Sequence, residues 1–94
     1  MEIADDTTFA IRDDVISEEI EDELVVLDLE GDVYFSLNDV GRLIWEAISD
    51  GKTFSEVVDA ICETYDVERD RASEDAVAFL EDTLDRELLS VRDD

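Results

Sequence analysis

The sequence has no histidine and no proline, one cysteine, three glycines and a single lysine, Lys52, in 94 residues. Without histidine it lacks the side chain that titrates closest to neutral pH and the commonest metal ligand. Its one thiol, Cys62, cannot close an internal disulfide or build a cysteine zinc site. With no imidazole to activate it, Cys62 is a poor nucleophile; it falls beside the apolar stripe of a helix and reads as a packed thiol. Three scattered glycines make no phosphate-cradling loop. No stretch of about 18 apolar residues exists to span a membrane. The first residues, Met1 to Asp6, are acidic and lack the basic and apolar segments of a secretory signal. The expectation is a cytoplasmic, non-catalytic protein with no cofactor and no metal site.

What the chain has in excess is acid: 30 Asp and Glu against 7 Lys and Arg, a formal net charge of −23. The acids are spread over every segment rather than gathered into a tail. Asp13-Asp14, Glu18-Glu19, Glu74-Asp75 and Glu81-Asp82 are pairs, but none sits in the Asp-x-Asp-x-Asp-Gly loop of a calcium site. They read as solvated charge. Two origins for the acidity stay open. One is a surface made for a particular partner. The other is adaptation to a salt-rich cytoplasm, where the screening length falls to ~3 Å at 1 M salt. In either case nucleic acid is a poor partner. The last helix carries Arg69, Arg71 and Arg86 among Glu68, Asp70, Glu74, Asp75, Glu81, Asp82, Asp85 and Glu87, a surface that repels phosphates instead of neutralising them.

The length suits one domain over residues 1–94, burying about 60–65% of its unfolded surface, with 1–8 expected to be disordered. Phe9 to Ser17 reads as one short strand, bulged or bent at Asp13-Asp14, and Glu18 to Glu23 as an acidic connecting loop or a poor strand end. Leu24 to Leu29 is the clearest strand, with Val25, Leu27 and Leu29 on one face. Glu30-Gly31-Asp32 turns the chain, Gly31 being free to take positive φ, and Val33 to Ser36 returns. The apolar period then changes from two to about 3.6 at Asn38, a good N-cap for a helix from Asp39 to Ser49 that carries Trp45. Gly51 suits its left-handed C-terminal cap. Thr53-Phe54-Ser55-Glu56 matches a capping box opening a second helix, whose stripe is Phe54, Val57, Val58, Ile61 and Tyr65. A third runs from Arg69 to Glu87 on a core line of Ala76, Leu80, Leu84 and Leu88. Leu89 to Asp94 adds a short strand or frays. The fold class is α+β: a short antiparallel sheet of about three strands followed by three helices, in winged-helix-like order.

Such a sheet leaves an open edge. If Val33 to Ser36 is that edge, its free N–H and C=O groups can template another strand, and capture of a peptide by strand addition uses those groups. The third helix can wall the groove, with Ala72, Ala76, Phe79 and Thr83 supplying apolar contact and Asp75 and Asp82 favouring basic residues. Phe35, Phe79 and Leu80 are residues of the kind that is more often plain core than ligand contact. Tyr34 points opposite to Phe35 and is the better candidate for exposure. A second copy of the chain closing the same edge would make a homodimer.

The segments YFSLNDVGRLIWEAI (34–48) and TFSEVVDAICETYDVERDRASEDAVAFLEDTLDRELL (53–89) resemble PqqD-like proteins, the pyrroloquinoline-quinone biosynthesis D family. The likeness covers roughly residues 20 to 90. It rests on the order of hairpin, Leu-Asn helix start, Ile-Trp, Thr-x-x-Glu helix start, Tyr-Asp turn and long last helix. The resemblance implies a recognition element for ribosomally made, modified peptides. Such an element binds the leader of a precursor peptide as an extra strand and hands it to a radical S-adenosylmethionine enzyme or a leader peptidase. Carried over by position, the strand is Asp32, Val33, Tyr34, Phe35 and Ser36, and the helix face is Ala72, Asp75, Ala76, Phe79, Asp82 and Thr83. The alternative is a winged-helix-like domain that docks a protein without capturing a strand.

Overall fold

The computed structural model describes residues 3–31 and 33–92, and of Phe35 the backbone alone. Four strands lead into three helices and a last strand: β1 (Thr8–Ile11), β2 (Val15–Ile20), β3 (Glu23–Asp28), β4 (Val33–Leu37), α1 (Asp39–Ser49), α2 (Phe54–Tyr65), α3 (Arg69–Asp85) and β5 (Leu89–Arg92). The fold is α+β and winged-helix-like. One antiparallel sheet has the order β2-β3-β4, and a second pairs β1 with β5.

The first strand expected over 9–17 is in fact two strands in two sheets. The Arg12 N–H still donates to Leu88, continuing the β1–β5 ladder, whereas the Asp14 C=O accepts from Leu29, beginning the ladder of β2 and β3. The chain therefore changes partner across Asp13. Of the two readings of the acidic stretch 18–23, the strand end is the one that holds. β2 runs to Ile20, and Glu21 and Asp22 turn the chain at φ values of 50° and 71°. These are the left-handed angles of a type I′ hairpin turn, usually filled by Asn-Gly. Arg42 of α1 holds this turn, donating to the Asp22 carbonyl at 3.3 Å and to Glu19 Oε1 at 2.8 Å. On β3 the inward face is Leu24 and Val26, not Val25 and Leu27, which are half-buried on the outer face, and Leu29 is exposed. Gly31 stays outside the left-handed region. The Asp28 carboxylate shapes that turn, accepting from the N–H groups of Glu30 and Gly31.

The helix ends follow local chemistry. Asn38 Oδ1 accepts from the Gly41 N–H at 2.7 Å and caps α1. At the other end Gly51, at φ 82°, donates to Ile48 while Lys52 donates to Ala47, which is the Schellman pairing. The capping box of α2 forms in both directions between Thr53 and Glu56. The Glu56 carboxyl is held below its ordinary pKa by the Thr53 backbone N–H and then by the Thr53 hydroxyl. Residues expected to be disordered are tied to the same helix start: the Asp5 and Thr7 carbonyls accept from Ser55 and Phe54, and Ile3 packs on the core. α3 ends at Asp85, two residues earlier than expected, because Glu87 takes φ 63° and turns the chain into β5.

The core lies between the helices and the inner side of the sheets. Trp45, 2% exposed, is its largest member, buried in one cluster with Ile44, Val57, Ile61 and Leu80. The indole Nε1 has no hydrogen-bond partner among the described residues. An unpaired buried donor costs about 1–3 kcal/mol, which burial of the large ring offsets. Tyr65, expected in the stripe of α2, is instead 37% exposed. It is the last helical residue and projects past the core beside Leu43 and Arg42.

Candidate functional site

β4 is an edge strand, since its only partner among the described residues is β3. The phase of its hydrogen bonds follows from the ladder. Asp14 and Leu29 face each other as a bonded pair, and bonding alternates along each antiparallel pair. β3 therefore turns the backbone of Val25 and Leu27 toward β2, and of Leu24, Val26 and Asp28 toward β4. By the registers Asp28↔Val33, Val26↔Phe35 and Leu24↔Leu37, those three β4 residues bond to β3. The N–H and C=O groups of Tyr34 and Ser36 then face the open edge. Their side chains are exposed too, Tyr34 at 72%.

α3 lies beside the end of this edge and forms a groove with it. One depression, of ≈ 270 Å³, is lined by Ser36 and Leu37 of β4, by Asn38, by Phe79, Asp82 and Thr83 of α3, and by Arg86, which caps that helix. A second, of ≈ 260 Å³, continues past Phe79 between Asn38, Val40 and Gly41 on one side and Asp75 and Ala78 on the other. Phe79 and Asn38 border both, so the ring divides the groove. The missing side chain of Gly41 lets the ring in: a Cβ there would stand 3.1 Å from Phe79 Cε2 and 3.1 Å from Asn38 Oδ1.

Of the residues singled out in the sequence, Val33, Tyr34 and Ser36 lie on the exposed edge strand. Asp32 falls outside the described residues, as does the Phe35 side chain. Asp75, Phe79, Asp82 and Thr83 line the groove. Ala72 and Ala76 do not: both are fully buried under α3 and offer no surface. They are one turn apart on the helical stripe that packs into the core, whereas Asp75, Asp82 and Ala78 centre on a face roughly 110° away. Thr83 is only 2% exposed, and its hydroxyl donates back to the Phe79 and Leu80 carbonyls, so it offers a methyl edge more than a polar group. Reading the sequence overlooked Leu37, Asn38, Val40, Gly41, Ala78 and Arg86. The signal for Ala78 and Arg86 was their helical spacing from Asp75 and Asp82; for Gly41 it was a glycine inside the first turn of a helix.

The groove is acidic, but its carboxylates have partners. Asp82 meets Arg86 at 3.1 Å and Asp75 meets Arg71 at 3.6 Å, each pair four residues apart along the chain. Arg69 likewise pairs with Asp59 and donates to Ser55. The cations of α3 are thus engaged with neighbours on the protein. Among the described residues no group of His, Cys, Asp and Glu side chains is arranged to hold a metal ion.

Two solved structures share this fold. TbiB1 in complex with the TbiA(beta) leader peptide is 42% identical, with a TM-score of 0.81 over 89% of this chain and 98% of that one. A lasso peptide synthetase B1 complexed with the leader peptide is 26% identical, with a TM-score of 0.81 over 87% of this chain and 96% of the other. No curated protein matches the sequence. The family profile described as coenzyme PQQ synthesis protein D (PqqD) matches residues 23–89. That span runs from the start of β3 to the first residue of β5, and so takes in both walls of the groove: the chain belongs to the PqqD family.

Proposed function

We propose that this domain binds the leader segment of a precursor peptide as an added strand on β4 and presents it to a maturation enzyme, without chemistry of its own. The observation that carries the reading is the conjunction of an open strand edge with a groove. The outward backbone groups of Tyr34 and Ser36 supply affinity. The two depressions on either side of Phe79 receive side chains of the same peptide. Both solved relatives named above hold leader peptides. The partner enzyme is of the kind that modifies such peptides or removes their leaders, a radical S-adenosylmethionine enzyme or a leader peptidase. The setting is the cytoplasm; among the described residues no helix is long and apolar enough to cross a membrane. Because Asp75 and Asp82 keep their own arginines close, a basic side chain on the peptide competes with Arg71 and Arg86 for them, which limits its gain in affinity.

The test is a titration followed by NMR in high salt, using the N-terminal half of any short peptide found encoded beside this gene. Saturable binding with shifts confined to 33–41 and to 75–86 is expected. Tyr34→Pro removes an N–H that faces the open edge and leaves the ladder to β3 intact; it should weaken the peptide at least about tenfold, the loss of ~1.4 kcal/mol, while the protein stays folded. Unchanged affinity in the folded variant rules β4 out as the docking edge. No binding at all turns the reading toward a protein-docking domain. A dimer at the β4 edge in the peptide-free sample makes a second copy the competing occupant.

A further inference from the structure

We infer that Arg12, which lies outside the groove, is a positioning residue for peptide docking: its guanidinium fixes the angle between the two sheets and so sets the width of the groove. The inference rests on the peptide-docking reading above. The two walls of the groove belong to two different bodies. One wall, β4, is part of the β2-β3-β4 sheet. The other, α3, runs through Glu87 and Leu88 into β5, which pairs with β1. The chain passes from one body to the other only once on this side, through Arg12, Asp13 and Asp14.

The Arg12 side chain bridges that junction. Nε donates to Asp14 Oδ1 at 2.6 Å, at the head of β2. Nη1 donates to the Glu87 carbonyl at 2.8 Å, just past the end of α3. Nη2 donates to the Asp28 carboxylate at the end of β3, the residue paired with Val33 of β4. The same Asp28 oxygen shapes the β3–β4 turn through Glu30 and Gly31. One rigid planar fork thus holds the junction, the end of α3 and the base of the β4 hairpin together. A lysine, with a single ammonium on a flexible stem, cannot reproduce that geometry. At the far end the groove is already pinned, where Gly41 and Asn38 meet Phe79. Arg12 is the second pin.

Without the fork the backbone bonds at the junction remain, so the domain folds but its sheets can swing. The geometry that fits a peptide strand is then a smaller share of the population, and apparent affinity falls by that share. The experiment uses the full chain with spin labels on Tyr34→Cys and Glu81→Cys in a Cys62→Ala background. With Arg12 in place the label distances should form one narrow distribution; Arg12→Lys should broaden or shift it. In parallel, the TbiA(beta) leader peptide serves as the probe, and Arg12→Lys should weaken it about tenfold. Arg69→Ala is the control. It removes the tie from α3 to Asp59 and Ser55, away from the junction, so it should lower the unfolding midpoint without moving the distances or the affinity. An unchanged distance distribution in Arg12→Lys overturns the inference, as does equal peptide affinity, or an identical response in Arg69→Ala. If the unsubstituted chain does not take the probe, the docking reading loses support and the distance distribution alone decides for or against the clamp.

Discussion

Gly41 is the residue on which the groove turns. It sits in the first turn of α1, where alanine is better for the helix by up to about 1 kcal/mol. Yet a Cβ there would meet Phe79 and the Asn38 cap, each at 3.1 Å, and neither neighbour can withdraw without giving up packing or a hydrogen bond. Crowding outweighs propensity: Gly41→Ala should lower unfolding free energy by about 1–2 kcal/mol in urea denaturation, and should push Phe79 into one of the depressions. A neutral or stabilising result would show that the ring yields freely and does not divide the groove. This contact is not legible in the sequence, where Gly41 is only a glycine in the first turn of a helix, with no sign that Phe79 faces it. Phe79 reads from the sequence mainly as core, and it is half that and half groove wall. Ala72 and Ala76 were misassigned because a buried small residue and a groove-lining one look alike until the helix's rotation about its axis is known.

At the level of elements, local signals were read well where the residues match the backbone they adopt. Asn38, the Thr53–Glu56 box and Gly51 marked their helix ends. They failed where the chain enters left-handed conformations without glycine. Glu21, Asp22, Asp66 and Glu87 all have positive φ, and at Glu21-Asp22 this hid a whole hairpin. The compensation is tertiary: Arg42 reaches across from α1 to hold that turn. Relieving the backbone should therefore stabilise the hairpin. Asp22→Gly keeps the carbonyl that Arg42 uses and suits φ 71°, so the unfolding free energy should rise by about 0.5–1 kcal/mol. A fall would mean that the Asp22 side chain makes a contribution larger than the strain. The split of the first strand into two sheets was likewise invisible, because Asp13 and Asp14 look like a bend in one strand as much as a change of partner.

Over the whole molecule, charge is the dominant feature. At −23 the folded chain concentrates repulsion that the unfolded chain spreads out. The ion pairs do not cancel it, since 7 cations face 30 acids. Raising KCl from 0.1 to about 2 M should raise the thermal midpoint as the repulsion is screened; a flat response would favour a partner-made acidic surface over salt adaptation. Such titrations are commonly followed by intrinsic fluorescence, and here the one tryptophan dictates what that signal means. Trp45 is sealed in the core on α1, remote from water, and lines neither depression of the groove. Its emission will report the collapse and melting of the entire domain and stay silent when a peptide settles on β4, so an unmoving spectrum in a binding experiment is what an occupied groove looks like from inside the core.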